Sequence, residues 1–76
     1  MPSPSSSSPI IVNGVARTVP GGWSIATLLR DTGVRSERVA VEVNHEIIDR
    51  GDYATRLLHP GDYVEIITFV GGGSVF

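Results

Sequence analysis

The chain has 76 residues, no cysteine, and a formal net charge of −2 that sets eight acids against six basic residues, all of them arginine. That length supports one small domain, and leaves no room for a large enclosed cavity beside a core. The absence of cysteine excludes disulfide staples and thiolate metal sites, so stability has to come from packed Ile, Val and Leu.

The arginines are scattered at Arg17, Arg30, Arg35, Arg38, Arg50 and Arg56 and form no basic block. Nucleic acid and anionic membrane are therefore not expected as partners. No apolar run approaches the ~20 residues that span a bilayer. Met1-Pro2-Ser3-Pro4 has neither the basic nor the apolar region of a secretory signal, so a cytoplasmic protein is expected. Without lysine, the side chains offer no amine for isopeptide linkage.

Residues 2–9 are only Pro and Ser. They have no apolar area to offset ordering entropy, so residues 1–9 are read as a disordered arm. Ile10-Ile11-Val12, Asn13-Gly14 and Val15 to Val19 read as a hairpin, because Asn-Gly accepts the positive φ of a type I′ turn. Pro20-Gly21-Gly22 ends it. Ser24 is placed to cap a helix running to about Thr32, with Ile25, Leu28 and Leu29 on one apolar stripe. Trp23 and Leu28 occupy the two positions of a hydrophobic staple. Gly33 suits the left-handed position after the helix, with Val34 placed to touch Leu29.

Val39 to Asn44 alternates, which sends Val39, Val41 and Val43 inward and Glu42 and Asn44 to water. His45-Glu46 is read as a turn into a short strand, Ile47 to Arg50. Asp52 is placed to cap one helical turn across Tyr53 to Thr55, and Leu57 and Leu58 follow as core anchors. His59-Pro60-Gly61-Asp62 fits a type II turn. A last strand runs from Tyr63 to Val70, with Val64 and Ile66 on the core face and Ile67 and Phe69 on the other.

One helix covers only one face of a four- or five-stranded sheet. The expected class is α+β in two layers: a domain over residues 10–70 and a flexible glycine tail with a three-residue extension over 71–76. The open face carries Ile67 and Phe69 beside the glycine exit, with Val70 continuing toward it. These three form the expected docking patch for a partner.

Side-chain catalysis has little support. His45 and His59 both fall in turns. Asp49, Asp52, Asp62 and Glu65 are loop, cap or strand-surface residues, and a paired-carboxylate pocket is more than the chain can build. No metal ligand set is read from the sequence. Gly71-Gly72-Gly73 is not a phosphate loop, since no helix follows to hold the anion. What distinguishes the run is its lack of Cβ atoms, which lets a backbone thread enter a narrow slot.

Taken together, the Asn13-Gly14 hairpin, the helix with Leu28-Leu29, Val41-Glu42-Val43-Asn44, Gly61-Asp62, Val64-Glu65-Ile66 and Phe69-Val70-Gly71-Gly72-Gly73 resemble the ubiquitin-like β-grasp sulfur carriers. The resemblance covers residues 10–73 and is closer to the ThiS branch than to the MoaD branch, whose Pro-Pro-Val-Ser-Gly-Gly type of ending is absent. It implies a β-grasp fold and a carrier that is not itself an enzyme. It further implies that the Gly73 carboxylate is adenylated and converted to a thiocarboxylate, with Gly71 and Gly72 threading into partner slots. No cofactor is bound; ATP is used by the adenylating partner. The implied partners are a ThiF-like adenylating enzyme, a cysteine desulfurase or rhodanese-type donor, and thiazole synthase. The expected state is a monomer forming transient complexes. Members usually stop at the glycines, whereas Ser74-Val75-Phe76 follow here, so a tail-trimming metalloprotease is also implied. Sulfur transfer to molybdopterin or to amino acids, and a noncatalytic binding module, are the alternative readings.

Overall fold

The computed structural model describes residues 7–69. Six stretches of regular structure build the fold: β1 (Ser7–Val12), β2 (Val15–Pro20), α1 (Ile25–Thr32), β3 (Val39–Val43), β4 (Glu46–Ile48) and β5 (Tyr63–Thr68). Two 3-10 turns, Ser36–Arg38 and Arg50–Asp52, lie between them. The five strands form one mixed sheet in the order β2-β1-β5-β3-β4. Only β1 and β5 run parallel; the other neighbours are antiparallel. The expected α+β, two-layer β-grasp architecture is the one observed.

The core is the layer between α1 and one sheet face. Ile25, Leu28 and Leu29 from the helix meet Ile10, Val19, Val39, Val41, Val43 and Val64 from the strands, all buried. Trp23 and Ile66 pack against this cluster from its edge. The helix ends follow the sequence closely. The Ser24 hydroxyl accepts the Thr27 N–H at 3.2 Å. At the other end Gly33 sits at φ 83°, its N–H donates to the Arg30 carbonyl, and the Val34 N–H donates to the Leu29 carbonyl. That pair of bonds is a Schellman closure, which satisfies carbonyls the helix would otherwise leave open.

Four local expectations need correction. The first strand starts at Ser7, not Ile10, because Ser7, Ser8 and Pro9 pair with Pro20, Val19 and Thr18, and Ser8 is buried. Three residues of the expected arm thus belong to the sheet; residues 1–6 lie outside the described residues. The β3–β4 turn is Asn44-His45, at φ 54° and 70°, so β4 begins one residue earlier than expected. That register leaves Ile47 75% exposed and Ile48 half-buried. The helical turn after β4 starts at Arg50, and the Asp52 backbone carbonyl, not its carboxylate, accepts the Thr55 and Arg56 N–H groups. The same turn buries Tyr53 in the core.

Leu57 is the fourth. It is 44% exposed, whereas Leu58 is buried. The Ile25 N–H donates to the Arg56 carbonyl and the Leu58 N–H to the Trp23 carbonyl, and Ser24 bridges Leu57 in antiparallel fashion. Such an extended segment alternates its side chains, so the two leucines cannot both face inward.

Trp23 is the single tryptophan and lies at the core edge, so its fluorescence reports unfolding. Leu28→Ala should lower the urea-derived stability by about 2–5 kcal/mol, the cost of deleting a fully buried leucine side chain. Gly33→Ala should cost roughly 1 kcal/mol, through strain in a left-handed position with open space around it. Equal losses for the two would contradict the core assignment of Leu28.

Candidate functional site

The site is organised by β5, the central strand. Its parallel ladder with β1 runs through Gly61 N–H to Pro9 carbonyl, Ile11 N–H to Asp62 carbonyl, and Asn13 N–H to Val64 carbonyl. There β1 ends, because the chain must turn at Asn13-Gly14. The Asn13 side chain takes over. Its Oδ1 accepts the Ile66 N–H at 2.7 Å and its Nδ2 donates to the Ile66 carbonyl at 3.3 Å. An amide side chain can imitate one more backbone rung, because it carries the same donor and acceptor.

Asn44 does the same at the start of β5. Its N–H donates to the Tyr63 carbonyl, its Oδ1 accepts the Tyr63 N–H at 2.9 Å, and its Nδ2 donates to Asp62 Oδ1 at 3.0 Å. Both asparagines hold positive φ, which asparagine tolerates better than most residues. Beyond Thr68, the Phe69 N–H still donates to the Arg38 carbonyl at 2.9 Å. The strand is therefore anchored up to the second residue before Gly71. Val70, the glycines Gly71, Gly72 and Gly73, and Ser74 to Phe76 lie outside the described residues.

On the face away from the helix, Ile67 is 49% and Phe69 50% exposed. Ile67 pairs with Ala40, and Ile47 with Glu42, so these residues of β5, β3 and β4 share one face. Two of the three expected docking residues thus lie on the open sheet face. Midway along it, Glu42 and Glu65 are register partners on β3 and β5. The His45 ring stacks on Tyr63, with centroids 5.6 Å apart. Ligand atoms of Glu42, His45 and Glu65 all lie within 4.8 Å of one another. This cluster was missed in the sequence. Both glutamates read as outward-facing, but only the β3–β5 register sets them opposite each other, and His45 joins them through the unexpected turn.

Asp62 was read as the last residue of a turn. It is buried, and its carboxylate accepts the His59 N–H at 2.8 Å as well as the Asn44 amide, with Arg56 3.9 Å away. It holds the turn that feeds β5. Asp49 precedes the exposed 3-10 turn and Asp52 ends it, and neither joins a cluster. Among the described residues there is no pocket, and no helix is long and apolar enough to cross a membrane.

Residues 10–73 match the model of the ThiS family. A thiazole synthase of Paramagnetospirillum magneticum is 40% identical over 65 residues, which is 86% of this chain but 20% of that protein. A thiazole synthase of Magnetococcus marinus is similar at 36% over 64 residues, so the chain spans about a fifth of the length of these relatives. The crystal structure of the thiamine biosynthesis protein ThiS from Geobacter metallireducens superposes with a TM-score of 0.71 at 34% identity, covering 86% of this chain and 99% of that one. The match spans the sheet, the helix and the glycine run together, and the chain belongs to the ThiS family, whose β-grasp fold it shares.

Proposed function

We propose that this chain carries sulfur as a thiocarboxylate on Gly73 and delivers it for formation of the thiamine thiazole ring. The observation that carries the reading is the continuity of the family match through Gly73, on a domain whose central strand is held up to Phe69. A rigid body supplies recognition area, and a glycine thread supplies reach into a slot that side chains would block.

The chemistry follows from the weakness of a carboxylate as an acylating group. Gly73 precedes Ser74, so hydrolysis of that peptide bond must first release its carboxylate; a metalloprotease is the proposed agent. A carboxylate oxygen then attacks the α-phosphorus of ATP on a ThiF-like adenylating enzyme, and pyrophosphate leaves. The terminal sulfur of a cysteine persulfide on a desulfurase or rhodanese-type donor attacks the acyl adenylate carbonyl, and AMP leaves. A second cysteine thiol of the partner enzymes then attacks the donor-side sulfur of the resulting acyl disulfide, which forms a protein disulfide and releases the Gly73 thiocarboxylate. In this scheme the domain contributes no acid or base of its own. Its contribution is presentation, with Ile67, Phe69 and Val70 docking and Gly71 and Gly72 threading. ATP belongs to the adenylating partner. Thiazole synthase is the proposed acceptor, supported by relatives of that name in which the matched segment is about a fifth of the whole.

Protein trimmed to end at Gly73, incubated with ATP, adenylating enzyme and sulfur donor, should gain the mass expected for replacing one oxygen by sulfur. With partners proven active on another carrier, an unchanged intact mass would refute the proposal. Gly73→Leu should slow the modification on the order of 100-fold, because a misplaced carbonyl loses its in-line geometry, while the circular dichroism spectrum stays unchanged.

Phe69→Ala should weaken the complex with the adenylating enzyme by roughly 10-fold or more, as expected for an aromatic anchor at an interface, with little change in thermal midpoint. Titration calorimetry measures this directly. An unaltered affinity would remove Phe69 from the docking surface. Full activity of a version truncated after Val70 would instead favour a noncatalytic binding module.

A further inference from the structure

We propose that Glu42, His45 and Glu65 form a binding site for one divalent transition-metal ion of the zinc class on the open face of the sheet. The inference is independent of sulfur carriage. It starts from an electrostatic anomaly. Glu42 and Glu65 are direct cross-strand partners, and like charges in that position destabilise a sheet. Both are half-buried, which limits how far water can screen them. Among the described residues, neither carboxylate has an arginine or any hydrogen-bond donor as partner. The arginine ion pairs are made elsewhere, with Asp31, Glu37 and Asp62.

The third group is a nitrogen ligand brought in by the turn. His45 has no hydrogen-bond partner for its ring among the described residues, and stacking on Tyr63 fixes the plane of the imidazole. The three ligand atoms lie within 4.8 Å of one another. Ligands about 2.1 Å from a tetrahedral ion stand about 3.4 Å apart, so small rotations of the two glutamate side chains close the set. Two carboxylates match the charge of a dication, and the imidazole selects the zinc class over magnesium or calcium, which take oxygen ligands. Three protein ligands leave at least one coordination position open. That position faces outward, on the same sheet face as Ile47 and Ile67.

The test uses tag-free protein and zinc chloride alone. Titration calorimetry should find one saturable site. Amide NMR shifts should change around Glu42 to Glu46 and Tyr63 to Glu65. His45→Gln and Glu65→Gln should each weaken zinc binding at least 10-fold, whereas His59→Gln should leave it unchanged. Glu42→Gln with Glu65→Gln should abolish binding and, without metal, raise the thermal midpoint, which shows that the variant is folded. Absence of saturable uptake would overturn the proposal. So would unchanged affinity in His45→Gln or in the double glutamine variant, loss of binding in His59→Gln, or calcium binding as tightly as zinc.

Discussion

The architecture depends on how β5 is gripped. It is the middle strand of the five, parallel to β1 on one side and antiparallel to β3 on the other. Parallel pairing needs a long crossover, and here the crossover contains β2, the helix, β3, β4 and the turns that follow. Its closure costs chain entropy that the local hairpins do not have to offset. Two asparagine side chains reinforce the result, Asn44 at the start of β5 and Asn13 near its end. Each sits in a tight turn of another hairpin. The same positive-φ geometry that reverses the chain also releases an amide side chain to serve as a rung on the central strand.

This arrangement suits a protein whose working end is its backbone. In the proposed role the same thread would be presented to successive enzymes, which requires a body that does not shift. The ladder bonds from Gly61 to Phe69 supply that fixed base. The helix covers one face and leaves the other open. That free face carries three of the exposed large apolar residues, Ile47, Ile67 and Phe69, together with Glu42 and Glu65. In the proposed docking role, the apolar groups would supply area for binding.

Much of the fold was legible because its signals are local. Asn13-Gly14, Ser24, Gly33 and Pro60-Gly61 each dictate a backbone angle or a cap within a few residues, and each behaves as its chemistry requires. The alternation of Val39, Val41 and Val43 marks the core face without reference to any partner strand. The errors occurred where a distant segment decides. Ser7 to Pro9 are strand because Thr18 to Pro20 wait to pair with them. Leu57 turns outward because Trp23 and Ser24 lie alongside it. Asp62 is buried because Asn44 and His59 close over it.

The sequence by itself determined the class of fold, the outward face of β5 and the glycine run that follows it. These rest on periodicity and on steric rules that act between near neighbours. Only the tertiary structure decided that Asn13 and Asn44 hold β5, and that Glu42, Glu65 and His45 stand together. Those facts depend on register, and register is settled when strands far apart in the chain pair and every buried donor finds its acceptor.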